Sequence, residues 1–141
     1  MKLNPKNGID TLLFGMKQKD VEERFGKADK QFKDEEGNVI LLYFDKRLRL
    51  TFYEEEEFRL GYIITSHPEV EVLGIKLIGV EVEVLKKDLP FKSWEVESFD
   101  STENHFNESN WLILQSEFGT VIRVEIGALI DEVKDEFQWK F

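Results

Sequence analysis

The chain contains no cysteine. Disulfides, thiol nucleophiles, zinc-ribbon sites and lipid attachment through a thiol are therefore excluded. No apolar run approaches the ~18 residues that suggest a membrane span. The first ten residues, MKLNPKNGID, lack the apolar stretch of a signal peptide. On these grounds the chain as given is expected in the cytoplasm, with no membrane partner. Histidine is scarce too. His67 and His105 are the only two, and neither stands in a metal-ligand spacing. No G-x-S-x-G elbow, P-loop or G-x-G-x-x-G phosphate loop occurs. The 29 acidic residues offer many carboxylate pairs, and nothing selects one for acid–base work. The expectation is a protein that is not an enzyme and needs no cofactor or metal.

What is present points to a folded interaction module. Hydrophobic residues make up 41% of the chain and aromatics 13%. That is enough for a real core in 141 residues, as one domain or two small intimate ones. Charge is uneven. Residues 1–66 hold 12 Lys/Arg against 13 Asp/Glu, and residues 67–141 hold 7 against 16. The second half thus carries nine of the ten net negative charges. An acidic half argues against nucleic acid, which needs clustered Lys and Arg. It suits a basic protein partner through complementary potentials, and it also suits plain solubility. The oligomeric state is not readable.

Two units follow one another, 1–66 and 67–141, with His67-Pro68 as the boundary. In the first, Gly15 and Gly26 bracket a short helix over about Gln18 to Phe25, with Val21 and Phe25 on its apolar face. Strands are expected at Gln31–Lys33, Val39–Phe44, Leu48–Tyr53 and Phe58–Thr65, with a hairpin turn at Asp34–Asn38. In the second unit the helix is expected over Glu81 to Leu89, closed by Pro90. Strands follow at Trp94–Phe99, Trp111–Gln115 and Thr120–Ile126. An offset of 64 places Leu77, Gly79 and Leu89 on Leu13, Gly15 and Phe25. An offset of 62 places Leu112, Leu114, Ile122 and Ile126 on Leu50, Phe52, Leu60 and Ile64. The fold class expected is α+β: two tandem units of helix plus antiparallel sheet, the helices packed on one face of the sheet.

The stretch Gly15-Met16, Val21, Phe25-Gly26-Lys27-Ala28-Asp29 resembles the G-M-x-x-x-x-V-x-x-x-x-G-x-P-D element of the SmpA/OmlA family. Its fold is also seen in tandem in β-lactamase-inhibitor proteins. About 17 residues of the first unit carry this resemblance. Ala28 stands where the family has proline, Lys17 where a capping threonine is common, and no lipid-accepting cysteine exists. The resemblance implies a tandem fold and protein binding, without the lipoprotein role.

Candidate site residues follow from the aromatics and acids of the second half. Trp94, Trp111 and Trp139 all lie there, and interface hot spots favour tryptophan. Trp94, Asp100, Glu103, Glu108 and Trp111 are the expected partner-binding set, an acidic rim around exposed indole. Glu95 and Glu97 are expected on the side opposite Trp94, because side chains alternate along a strand. Glu54–Glu57 reads as a solvated turn. The function expected is a non-enzymatic protein-binding module, of inhibitor or toxin-immunity type. The alternative is a small-molecule-binding or enzymatic domain with a pocket between the units. Self-association through the tail, where Phe137, Trp139 and Phe141 alternate, is a third reading.

Overall fold

The computed structural model describes residues 1–141. The chain opens with three two-residue strands, β1 (Leu3–Asn4), β2 (Gly8–Ile9) and β3 (Leu12–Leu13), then helix α1 (Gln18–Phe25). A four-stranded meander follows: β4 (Lys30–Lys33), β5 (Val39–Tyr43), β6 (Leu48–Tyr53) and β7 (Arg59–Thr65). The same order then recurs. A small hairpin, β8 (Glu71–Val72) and β9 (Ile75–Lys76), leads into α2 (Val82–Asp88). The second meander is β10 (Trp94–Phe99), β11 (Thr102–Asn107), β12 (Leu112–Glu117) and β13 (Thr120–Gly127). A last hairpin, β14 (Ile130–Asp131) with β15 (Glu136–Phe137), ends the chain. The two meanders join along β7 and β13 into one eight-stranded antiparallel sheet of order β10-β11-β12-β13-β7-β6-β5-β4.

This corrects the expected class. The molecule is mostly β, with 45% strand and 15% helix when the 3-10 turns at Glu54–Glu56 and Glu108–Asn110 are included, and is not an α+β protein with a helical layer on a sheet. The helices are two turns long and bury little: Val21 in α1, Val82 and Leu85 in α2. The lead-in segments cover much of the sheet's inner face, through Leu3, Ile9, Leu12, Phe14 and Met16 in the first half and Val70, Val72 and Leu77 in the second. These side chains join Leu50, Phe52, Ile63, Leu114, Val124 and Ile126 of the sheet in one core cluster of 26 buried residues.

Helix α1 is set locally. The Lys17 backbone N–H donates to the Asp20 carboxylate at 2.9 Å, satisfying a donor at the helix start. Gly26, at φ 77°, ends the helix and donates to the Glu22 carbonyl at 2.8 Å. Phe25 is only half-buried, edge-on to Tyr43 at 5.9 Å. Phe25→Ala should therefore cost about 1–2 kcal/mol, less than the ~3–5 kcal/mol of a fully buried phenylalanine. The urea midpoint measures it.

The recurrence is closer than the sequence pattern allows one to see. From Leu13 to Phe52 the counterpart of a residue, outside the first strand of each meander, lies 64 positions on: α1 starts at Gln18 and α2 at Val82. Both meanders break register at the same place, between Thr51 and Phe52 and between Gln115 and Ser116. Gly15 donates to Leu60 O and Leu60 to Met16 O; Gly79 donates to Val121 O and Val121 to Val80 O. Val121 is thus the counterpart of Leu60, an offset of 61. The β12–β13 connection is three residues shorter than that between β6 and β7. The offset in β13 is 61, one short of the expected 62. The strand also bulges: Val121 opposes Ser116 and Arg123 opposes Gln115, so Ile122 drops out of the ladder and is exposed while Val121, Val124 and Ile126 are buried.

Candidate binding surface

Because one face of the sheet is buried, alternate residues form an outer face. Register carries one row of them across all eight strands. It runs from Glu95 on β10 through Phe106 and Ile113 to Glu125 on β13, then Ile64, Arg49, Leu42 and Lys30 on β4. Glu125 and Ile64 are partners across the seam and also counterparts in the two halves, so a pseudo-two-fold axis passes between them. The row is acidic and aromatic at one end and basic at the other.

At the seam, Glu125 is almost fully buried. Its carboxylate accepts the Tyr62 hydroxyl proton at 2.5 Å and pairs with Arg123 Nη2 at 3.0 Å. Burial and this carboxylate push the Tyr62 hydroxyl well above its ordinary pKa. The Trp111 and Tyr62 rings close over Gly127, where a Cβ would stand 2.4 Å from Trp111 Cδ1. Phe106 meets Trp111 edge-on at 5.0 Å. Gly127→Ser should push the indole out of this seat. A red shift of tryptophan emission and a loss of about 1–2 kcal/mol would report it.

Beside Trp111 lies an open groove of about 350 Å³. Phe106, Ile113 and Trp111 give it an apolar floor, and Glu95, Glu97 and Asn104 line its rim. Glu95 is also part of a wider hollow of about 700 Å³, where Glu108 and Glu132 lie. Of the expected set, Trp111 and Glu108 lie together here, Trp111 N–H donating to Glu108 O at 3.0 Å. The others do not join them. Trp94 packs toward the core, its Nε1 donating to Phe91 O at 3.1 Å. Asp100 sits at the β10–β11 turn with φ 52°. Glu103 shares the cross-strand row of Ser98 and Ser116, on the inner side. Trp139 lies against the first half: it covers Gly15 and stacks at 4.7 Å on Phe137, which itself meets Tyr53 at 5.6 Å. Glu95 and Glu97, outside the expected set, take their place, since β10 register puts them with Phe106 and Asn104.

The inner side of the second half holds a polar network. His105 is buried. Its Nδ1 lies 3.2 Å from Lys86 Nζ, and its Nε2 lies 3.1 Å from Ser116 Oγ and 3.5 Å from Glu103 Oε1. The counterparts of His105, Ser116 and Glu103 in the first half are Leu41, Phe52 and Val39. Burial, then the Lys86 charge, hold the imidazole below its ordinary pKa, against Glu103 and Glu83. A lysine ammonium has only protons to give, so Nδ1 accepts and the ring proton sits on Nε2. A general base for Ser116 would need Nε2 free to accept. The pair faces the wrong way for nucleophilic chemistry.

No family model matches the sequence, and no curated protein matches it. Solved structures do resemble the fold. One is an extracellular protein containing a SCP domain from Bacillus anthracis, with TM-score 0.57 and 12% identity over 87% of this chain and 49% of that one. Another is a cysteine-rich secretory protein from Staphylococcus aureus, with TM-score 0.50 and 16% identity over 79% of this chain and 42% of that one. This chain thus spans about half the length of the proteins it resembles. The likeness is one of fold. It overturns the cytoplasmic expectation, since both neighbours are described as extracellular or secretory. The absence of a signal-like stretch in ten residues was too little to place the chain.

Proposed function

We propose that the protein is a non-enzymatic binding module whose Trp111 groove takes a basic, partly apolar segment of another protein. The observation that carries this is the groove's make-up: an exposed indole beside Phe106 and Ile113, bordered by Glu95 and Glu97, neither of which has a basic partner. Aromatic anchors inside a charged rim are the usual seat of binding energy. The extracellular and secretory descriptions of the fold's neighbours are compatible with such a role. An inhibitor or immunity role is the sharper form of the same reading, and it draws on the resemblance to the tandem inhibitor fold.

Peptide display against the whole chain tests it. Selected peptides should carry Lys or Arg beside an aliphatic or aromatic residue. Glu95→Lys with Glu97→Lys should weaken them by about tenfold or more and flatten the salt dependence. Charge reversal across Glu54–Glu57 should change little. Peptides indifferent to Glu95 and Glu97, or equally sensitive to both sets, would show attraction to net charge and sink the site.

A further inference from the structure

We infer a second site at the other side of the pseudo-two-fold axis, built for an aryl carboxylate. The counterpart of Trp111 is Arg47, and the two share a left-handed backbone, φ 42° and 47°. Their surroundings match bond for bond. Trp111 N–H donates to Glu108 O and Arg47 N–H to Phe44 O, both at 3.0 Å. Gly127 donates to Trp111 O at 3.1 Å and Ser66 to Arg47 O at 3.2 Å. In the second half the indole fills the space between Phe106, Tyr62 and Gly127. In the first half no ring fills it, and a hollow of about 360 Å³ lies there instead. Leu42, Phe44 and Ile64 supply apolar lining, and Arg47, Arg49 and Arg123 supply charge.

Three of the chain's five arginines therefore meet at one hollow of a protein with net charge −10. Arg47 and Arg49 have no carboxylate partner among 29 acids. Arg123 has one, Glu125, yet its Nε–H is closed from solvent with no acceptor. The indole of the other half shows the body that fits such a seat: a flat ring. Guanidinium groups stack on aromatic faces and fork onto carboxylates, so the lining recognises both parts of one ligand. The volume is that of a small-molecule site. The site is separate from the Trp111 groove and stands whether or not a protein partner binds there.

The test uses 2-naphthoate, with naphthalene-2-methanol and inorganic phosphate as controls, followed by NMR on the full chain. Naphthoate should give saturable shifts at the backbone of Arg47, Arg49, Ile64 and Ser66 and at the Arg123 Nε–H. Arg47→Met and Arg49→Met should each weaken it by about tenfold, the loss of one charge-assisted pair. Arg49→Lys should fall between, keeping charge and losing the fork. Arg47→Trp combined with Ser66→Gly should rebuild the plug of the other half and abolish binding while the fold persists. Equal affinity for the alcohol or for phosphate would overturn the proposal. Shifts centred on the Trp111 groove, or none up to the solubility limit, would overturn it too.

Discussion

Phe52→Ala should cost about 3–5 kcal/mol of unfolding free energy. The ring is fully buried, on β6, with Val39 and Leu60 as cross-strand neighbours. It sits at the register break opposite β7, where Gly61 is the extra residue between its partner Leu60 and Tyr62. The whole effect should appear as a lower urea midpoint at unchanged slope. A loss below about 1.5 kcal/mol would mean that the lead-in segment collapses into the gap. The second half gives the comparison, because Ser116 stands at the same position, with its hydroxyl 3.1 Å from His105 Nε2. Ser116→Ala should cost far less.

His105→Leu should lower stability by about 1–3 kcal/mol at pH 7, because it leaves the buried Ser116 hydroxyl without its partner. The pH dependence is the sharper result. The folded pKa is depressed by burial and by Lys86. Above the ordinary imidazole value of about 6.5 the ring is neutral folded and unfolded, and its contribution is complete. Below that value the unfolded chain binds the proton first. Stability is then lost as the pH falls through the lowered folded pKa. Wild type should therefore lose stability between pH 7 and 5 faster than the leucine variant, and the gap between them should narrow. Parallel curves would mean that the imidazole titrates alike in both states. Carboxylates elsewhere affect both proteins equally, so the difference isolates His105.

Local pattern carried part of this structure. Gly15 and Gly26 mark the ends of α1, the alternation Leu48, Leu50, Phe52 marks β6, and the apolar run after Asn38 marks β5. Relative weight was not visible. Two-turn helices read from glycine spacing looked like half of an α+β fold, because their partners in the core, the short lead-in strands, have no periodicity to detect. In β13 the alternation puts Ile122 inward with Val124 and Ile126, but a bulge opposite Gln115 and Ser116 turns Val121 inward in its place, and no residue type marks that bulge. Trp139 belongs to the second half by chain position and packs at Gly15 of the first. The arginine hollow needed register as well: Arg47 and Arg49 are close in sequence, but Arg123 joins them only because β7 pairs with β13. A signal was present in the pairs Trp111 with Gly127 and Arg47 with Ser66, a large ring over a glycine in one and neither in the other. Reading it required the offsets 64 and 61.

The outer row ends in opposite signs, Glu95 on one edge strand and Lys30 on the other. Seven strand spacings separate them, about 33 Å at ~4.7–4.8 Å each. This row thus separates opposite charges along the plane of the sheet. In dilute buffer the field of a charged surface exerts a torque on it, turning one edge toward the surface before contact. At physiological ionic strength the screening length is about 8 Å, a quarter of that span. The torque then vanishes and each edge responds only to what touches it. Salt therefore acts on this molecule in two stages, first removing its orientation at a distance and only later weakening its contacts.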